Sequence, residues 1–172
     1  MKKISGLVLI SLLWAGCNFL HKKTDPAESN VDNALSAFVD PYIGSDYHGH
    51  VFVGASVPFG AVQLGPNNFY RGWDWCSGYH YSDSILLGFS HTRLSGTGCT
   101  DLGDILIMPA TGQLHINQST PDKYEQGYAS LYRRETEIVK PGYYAVELER
   151  YGIFAELTST ERVGMHRYSV PE

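Results

Sequence analysis

A stretch of regular alternation near the end of the chain places the strongest constraint on the fold. Residues 144–149 (YAVELE) put every second large apolar side chain on one face, and residues 153–157 alternate in the same way after a Tyr-Gly dipeptide at 151–152. Because successive side chains of a strand point to opposite faces, both runs predict half-buried β-strands joined as a hairpin. Residues 162–170 are expected to add a third strand.

Two short apolar runs earlier in the chain are also candidate strands. Residues 105–108 (ILIM) are apolar throughout and end at Pro109, which predicts a strand buried on both faces. Residues 60–64 (GAVQL) lie between Pro58 and the Gly-Pro dipeptide at 65–66. No window beyond the N-terminal segment keeps a helical period, and the 18 Gly and 12 Tyr suit tight turns and pleated surfaces. The predicted fold class is all-β, an antiparallel β-sandwich.

The N-terminal segment has the features of an export signal. Two lysines precede an apolar run over residues 7–14, which is shorter than the roughly 20 residues of a membrane span. Ala15 and Gly16 then precede Cys17, and this triplet resembles the lipobox at which bacterial lipoproteins are acylated on cysteine. Trp14 stands where that box usually carries Leu. Acylation of Cys17, soluble export and an uncleaved anchor therefore all remain open.

Three segments are predicted: a lipoprotein-type signal peptide (1–17), a flexible tether (18–36) and a β-sandwich domain (37–172). The tether is polar and cannot bury enough apolar surface to offset its ordering entropy. The formal net charge of −5 and the lack of a basic stripe argue against a nucleic-acid partner. Membrane contact is expected only through the N-terminal lipid, with the protein facing the periplasm or the cell surface, or free in the periplasm.

The two remaining cysteines, Cys76 and Cys99, leave two interpretations open. In an exported protein they could form a disulfide. Otherwise they are two separate thiols, buried or lining a site. Their spacing does not decide between these interpretations.

Residues 71–81 (RGWDWCSGYHY) have the composition of a sugar-binding loop. A pyranose presents an apolar C–H face, which aromatic rings contact, and a rim of hydroxyl groups, which polar side chains and backbone groups bind. The alternative is that Trp73 and Trp75, two residues apart and on one face of a strand, are core aromatics.

Other polar pairs suggest chemistry less strongly. His48 and His50 would share one face of an extended segment, but no third ligand completes a familiar zinc set, so hydrogen-bonding roles are favoured. Ser90 and His91 lack the Gly-x-Ser-x-Gly elbow of a serine hydrolase. Asp101 and Asp104, three residues apart, would face opposite sides of a strand, which disfavours them as the paired carboxylates of a glycosidase.

Seven blocks follow one another along the chain: VDPYIG (39–44), HGHVFVGASVPFG (48–60), WCSGYHY (75–81), GFSHT (88–92), LSGTG (94–98), DLGDI (101–105) and TERVGMHRY (160–168). Taken together in this order, they resemble the N-terminal domain of family 92 glycoside hydrolases. The resemblance runs from about residue 37 to the last residue and rests on the ordered set rather than on one motif.

The resemblance implies a calcium-dependent exo-α-mannosidase that inverts the anomeric carbon and acts on mannose of N-glycans or yeast mannan. Family members pack an N-terminal β-sandwich against an (α/α)6 barrel, which supplies the acid, the base and the calcium ligands. This sequence is expected to stop before that barrel and to hold an incomplete sandwich. No catalytic or metal-ligating residue is therefore predicted within it, and the chain alone is expected to be inactive.

The sandwich is expected to contribute part of the sugar pocket. Cys99 departs from the small or aliphatic residue expected after the Gly-Thr-Gly. A non-catalytic mannose-binding module and an inactive gene fragment remain alternative interpretations. The predicted substrate-binding residues are Trp73, Trp75, Cys76, Ser77, His80 and His91, and the predicted supporting residues are His48, His50, Ser95 and Asp101.

Overall fold

The computed structural model of the protein describes residues 35–171. The chain divides into two compact units, Met1–Phe38 and Val39–Glu172. Of the first unit only residues 35–38 are described, a turn in which the Phe38 amide donates to the Leu35 carbonyl at 3.1 Å. The predicted signal peptide, Cys17 and most of the predicted tether lie outside the described residues. No helix in the described part of the chain is long and apolar enough to cross a membrane.

The second unit is built from short antiparallel strands and three 3-10 helices. The helices are Trp73–Trp75, Pro121–Gln126 and Arg134–Thr136. The strands are β1 Ala55–Ser56, β2 Gln63–Asn67, β3 Ile85–Leu86, β4 Gly88–Ser90, β5 Ser130–Leu131, β6 Ile138–Lys140, β7 Tyr143–Leu148, β8 Ile153–Ser159 and β9 Gly164–Ser169.

These strands form three antiparallel sheets, ordered β1-β2-β4, β3-β5 and β6-β7-β8-β9. The all-β antiparallel prediction is confirmed. Strands β7 and β8 of the four-stranded sheet lie against β1 and β2 of the three-stranded sheet. The side chains between them form the main core, which includes Leu64, Phe89 and Tyr144. Two sheets packed face to face over one core give the domain its sandwich-like layering.

The predicted hairpin is confirmed in detail. β7 and β8 pair from Leu148↔Ile153 to Tyr143↔Thr158, and β9 continues the meander along the other edge of β8. On β8 the inward residues Ile153, Ala155 and Leu157 are each at most 1% exposed. The period-two pattern predicts this strand well because one of its faces is buried and the other is not.

Two strand predictions are wrong. Residues 105–108 form no strand, Ile105 is 68% exposed, and only Ile107 makes an isolated bridge, to Phe89. The left-handed backbone at Ile105 (φ 55°) breaks the extended run. The strand expected at 60–64 begins instead at Gln63 and continues through the Gly-Pro dipeptide to Asn67. Pro66 is tolerated because β1 pairs only with Gln63 and Leu64.

A buried carboxylate ties the sheets to the irregular segments. The side chain of Glu137 accepts hydrogen bonds from the hydroxyls of Tyr144 at 2.7 Å, Tyr79 at 3.1 Å and Tyr42 at 3.2 Å, and it pairs with Arg134. Burial, reinforced by this carboxylate, raises the pKa of Tyr79 and Tyr144 well above the usual tyrosine value, so both remain donors.

Candidate functional site

The aromatic loop is irregular but closed by its own hydrogen bonds. Gly72 enters it with φ 127°, and the Trp73–Trp75 helix follows. The amide of Gly78 donates to the Trp75 carbonyl at 3.0 Å, and the carbonyl of Gly78 accepts from Asn68 at 2.7 Å. The loop is therefore fixed against the end of β2.

This loop forms one wall of a cavity of about 280 Å³, and a second loop over residues 93–103 forms the other. The volume lies at the small end of the range of ligand sites. Of the predicted site residues, four line the cavity: Trp75, Cys76, Ser77 and Asp101. Polar groups from Asn67, Asn68 and Thr100 are also in its wall.

His80 lies behind Trp75 rather than in the cavity wall. Its ring stacks on the indole at a centroid distance of 4.1 Å. His80 is 6% exposed, and its ring nitrogens lie 2.8 Å from the Ser82 hydroxyl and 3.3 Å from the Tyr47 carbonyl. The arrangement allows His80 to orient Trp75, not to reach a ligand.

Trp73 is absent from the cavity wall and is 57% exposed, so it is not a core aromatic. Its indole N–H donates to the Gly98 carbonyl at 3.1 Å, and His50 packs edge-on against it at 4.1 Å. The hydrogen bond to Gly98 joins the aromatic loop to the second loop over residues 93–103. The exposed ring face remains available for contact with a ligand outside the cavity.

His48 and His50 meet at Asp74, a partner that sequence spacing does not suggest. His48 Nδ1 lies 2.5 Å from Asp74 Oδ1, and His50 Nε2 lies 3.5 Å from the same oxygen without hydrogen-bond geometry. The hydrogen bond from His48 lowers the pKa of Asp74. Within the described residues no group of three or more His, Cys, Asp or Glu could hold a metal ion.

Arg93 is one of several cavity residues that sequence reasoning missed, together with Asn67, Asn68 and Thr100. It is 5% exposed, and its guanidinium donates to the carbonyls of Gln63, Ser77 and Gly65. Burial lowers its pKa to about 9. Arg93 thus ties the cavity floor to β2, a role that only the folded geometry reveals.

The remaining predicted residues lie around the cavity. The Ser95 hydroxyl accepts from the Phe52 amide at 3.4 Å. Asp104 is exposed, lies outside the cavity wall and accepts from Thr92 Oγ1 at 3.3 Å, so it does not share the cavity with Asp101. His91 is also absent from the cavity wall, and its ring lies between Ile105 and His166.

Both Cys76 and Cys99 are free thiols. Cys76 is buried beside the cavity, and burial raises the pKa of its thiol. Cys99 is exposed. The structure therefore corresponds to the interpretation of two separate thiols.

The cavity and its sheets can be compared with known proteins. Residues 38–172 match the glycosyl hydrolase family 92 N-terminal domain. The chain belongs to glycosyl hydrolase family 92. The match confirms the resemblance carried by the seven blocks.

Solved and curated relatives agree with this family assignment. A family 92 α-mannosidase from Bacteroides thetaiotaomicron, solved in complex with mannoimidazole, is 46% identical with a TM-score of 0.77, over 80% of this chain and 18% of that one. An uncharacterized secreted glycosidase from Arthroderma benhamiae is 31% identical, over 78% of this chain and 17% of that protein. An inverting family 92 mannosidase from B. thetaiotaomicron, 24% identical with a TM-score of 0.60 over 78% of this chain and 18% of that one, shares the fold. The chain therefore spans less than a fifth of the length of these relatives.

Proposed function

We propose that this chain is the N-terminal part of an exo-α-mannosidase and that its cavity forms one wall of the mannose pocket. The observation that carries the proposal is the cavity itself, whose wall combines Trp75 with the polar residues Asn67, Asn68 and Asp101. An aromatic side chain and several polar side chains in one cavity wall suit a pyranose. The 46% identity to an α-mannosidase supports mannose as the sugar.

The catalytic carboxylates are proposed to come from the longer protein. Inverting glycosidases need two carboxyl groups about 6.5–9.5 Å apart. In the wall of this cavity Asp101 is the single acidic side chain among the described residues. Asp101 is therefore assigned to binding sugar hydroxyls or loop amides. We also propose that the full-length enzyme inverts the anomeric carbon and prefers α-1,2-linked mannose of N-glycans or mannan.

Calcium is proposed for the full-length enzyme only. Calcium takes six to eight oxygen ligands, mostly carboxylates and carbonyls. The described residues do not fit this requirement, because no group of three or more acidic or other ligating side chains converges among them. No step of the proposed function is assigned to a metal held by this part of the chain.

The test uses the full-length enzyme and α-1,2-mannobiose as the substrate. Trp75→Ala is expected to lower kcat/KM at least tenfold, whereas Ile116→Ala, at a position 80% exposed, should leave it unchanged. Equal kcat/KM values for the two variants would show that Trp75 does not belong to the mannose pocket. Mannose release by the 172-residue chain alone would contradict the assignment of catalysis to the longer protein.

A non-catalytic mannose-binding module is the second candidate, favoured by the fact that the cavity is formed entirely within residues 67–103. Half of a shared pocket should bind weakly, because its ligand remains open to solvent. Calorimetry of this chain with mannobiose distinguishes the two candidates. Submillimolar binding that Trp75→Ala abolishes would support the module.

Export is also proposed, with acylation of Cys17 anchoring the protein at the membrane. The description of the Arthroderma relative as secreted supports export. The proposal predicts that Cys17→Ala releases the protein from the membrane fraction of a bacterial host. Mass spectrometry of the mature N-terminus should find a diacylglyceryl cysteine. An unmodified mature N-terminus that begins at another residue would contradict acylation of Cys17.

A further inference from the structure

His91 and His166 face each other outside the cavity wall. Their Nε2 atoms are 3.0 Å apart, with ring centroids separated by 4.9 Å and planes inclined by 34°. His91 directly follows β4, and His166 lies in β9, an outer strand of the four-stranded sheet. The pair therefore joins the two packed sheets, and neither histidine belongs to the wall of the cavity proposed to bind mannose.

Both rings are oriented from behind by oxygen atoms. His91 Nδ1 lies 2.9 Å from the Ile105 carbonyl, which can only accept, so this nitrogen carries the proton and His91 Nε2 is a bare lone pair. His166 Nδ1 lies 2.7 Å from the Tyr168 hydroxyl, which can donate or accept. Because His91 Nε2 can only accept, His166 Nε2 donates to it across the 3.0 Å separation, and the Tyr168 hydroxyl donates to His166 Nδ1. If His166 instead carries its hydrogen on Nδ1 and the Tyr168 hydroxyl accepts, both Nε2 atoms are free to bind an ion.

We propose that His91 and His166 form a two-imidazole binding site for a divalent late transition metal ion such as Cu²⁺, Ni²⁺ or Zn²⁺. Metal–nitrogen bonds of about 2.0–2.1 Å, subtending about 90–110° at the metal, place two ligating nitrogens about 2.9–3.4 Å apart. The observed separation of 3.0 Å falls within this range. The ion takes the place of the hydrogen between the two Nε2 atoms: His166 loses the proton on Nε2 and takes one up on Nδ1, which then donates to the Tyr168 hydroxyl.

The imidazole nitrogens of His91 and His166 determine which metal ions the site prefers. Imidazole nitrogens suit copper, nickel and zinc, whereas magnesium and calcium require oxygen ligands. The nitrogen separation corresponds to an angle near 90°, which suits the tetragonal geometry of Cu²⁺. No group of three ligating side chains exists in the described part of the chain, so water fills the remaining positions and the ion exchanges readily.

The surroundings of the pair support this arrangement. Histidine ligands of metals are typically held by a hydrogen bond at the other ring nitrogen, as both rings are here. Gly164 allows the approach, because a Cβ at this position would lie 2.7 Å from Cδ2 of His91. The site therefore combines two converging ligands, two oriented rings and room for them to meet.

A Cu²⁺ titration of the protein, followed by calorimetry and electron paramagnetic resonance, tests the proposal. One ion per chain and coupling to two imidazole nitrogens are expected, with weaker Ni²⁺ and Zn²⁺ binding and none of Mg²⁺ or Ca²⁺ at this pair. His91→Gln and His166→Gln should each weaken Cu²⁺ binding at least tenfold. Tyr168→Phe removes the oxygen behind His166 and should weaken it about tenfold or more.

The matched controls are His115→Gln and His48→Gln, which should leave Cu²⁺ binding unchanged. Loss of binding in His48→Gln, or equal binding in His91→Gln and the parent protein, would overturn the proposal. If a variant fails to fold, nitrogen NMR of the parent protein replaces it. Zn²⁺ should then shift the Nε2 resonances of His91 and His166, and unchanged resonances would refute the site. This outcome is independent of the proposed mannosidase function.

Discussion

The indole of Trp75 stacks on the imidazole of His80, with ring centroids 4.1 Å apart and 20° between their planes. The indole N–H donates to Asp83 Oδ2 at 3.0 Å, and Arg71 pairs with the same oxygen at 2.9 Å. The ring that lines the cavity is therefore held by a stacking partner and by a hydrogen bond. A rigid aromatic wall loses little entropy when a sugar binds.

Removing this stacking partner should weaken sugar binding. In the full-length enzyme, His80→Ala is expected to lower kcat/KM for α-1,2-mannobiose by about 2–10-fold, which corresponds to an aromatic contact of about 0.5–1.4 kcal/mol. The loss should appear in KM rather than in kcat, because the role proposed for Trp75 is to contact substrate and not to take part in the chemistry. His80→Phe should restore most of the loss. Failure of Phe to rescue, with the fold intact by circular dichroism, would argue against the positioning role.

Composition predicts a sugar-binding loop but leaves open the alternative that both tryptophans are core aromatics. That alternative assumes a strand, on which Trp73 and Trp75, two residues apart, share a face. The structure places them on one 3-10 turn, where residues two apart point in widely different directions. Trp75 therefore lines the cavity while Trp73 is exposed, a difference that depends on the turn type and not on residue identity.

The buried carboxylate of Glu137 should contribute strongly to stability. Glu137→Gln leaves Arg134 without its carboxylate and weakens three tyrosine hydrogen bonds. Breaking a buried pair by removing one partner costs about 3–5 kcal/mol. Urea unfolding should show a decrease in the free energy of unfolding of this size.

Glu147→Gln is the matched control for the Glu137 prediction. Glu147 pairs with Arg133 at 3.7 Å, and both side chains are well exposed. An exposed ion pair contributes about 0–1 kcal/mol. If Glu137→Gln lowers the free energy of unfolding by no more than this control does, the carboxylate network is not stabilising.

Strands are predicted most reliably from the sequence where the local pattern of apolar residues agrees with their burial in the fold. The β7–β8 hairpin follows from alternation because its register puts one face of each strand in the core. The continuous apolar run at 105–108 also predicts a strand, yet it lies largely exposed, because a positive φ at Ile105 prevents the extended backbone. Arg93 and Glu137 could not be predicted as buried, because each also depends on partners that are distant in sequence. These are Ser77 and Gly65 for Arg93, and Tyr42 and Tyr79 for Glu137.

The two cysteines outside the N-terminal segment should differ sharply in reactivity. In a Cys17→Ser background, one thiol per chain is expected to react rapidly with a disulfide reagent, because Cys99 is exposed and Cys76 is buried with a raised thiol pKa. The second thiol should react only after unfolding. Cys99→Ser should remove the fast phase. No reactive thiol before reduction would instead indicate a disulfide between them.

Gly78 should be intolerant of any side chain. Its backbone has φ 85°, and an added Cβ would lie 2.7 Å from the Arg93 guanidinium. Gly78→Ala therefore combines backbone strain of about 1–3 kcal/mol with displacement of the buried arginine from the Ser77 carbonyl. Gly112→Ala is the matched control, because Gly112 has φ 75° with no atom within 4 Å of the added Cβ. Thermal unfolding should give a clearly larger decrease in Tm for Gly78→Ala than for the control. Equal decreases would mean that the backbone angle alone accounts for the glycine, and that Arg93 can move without cost.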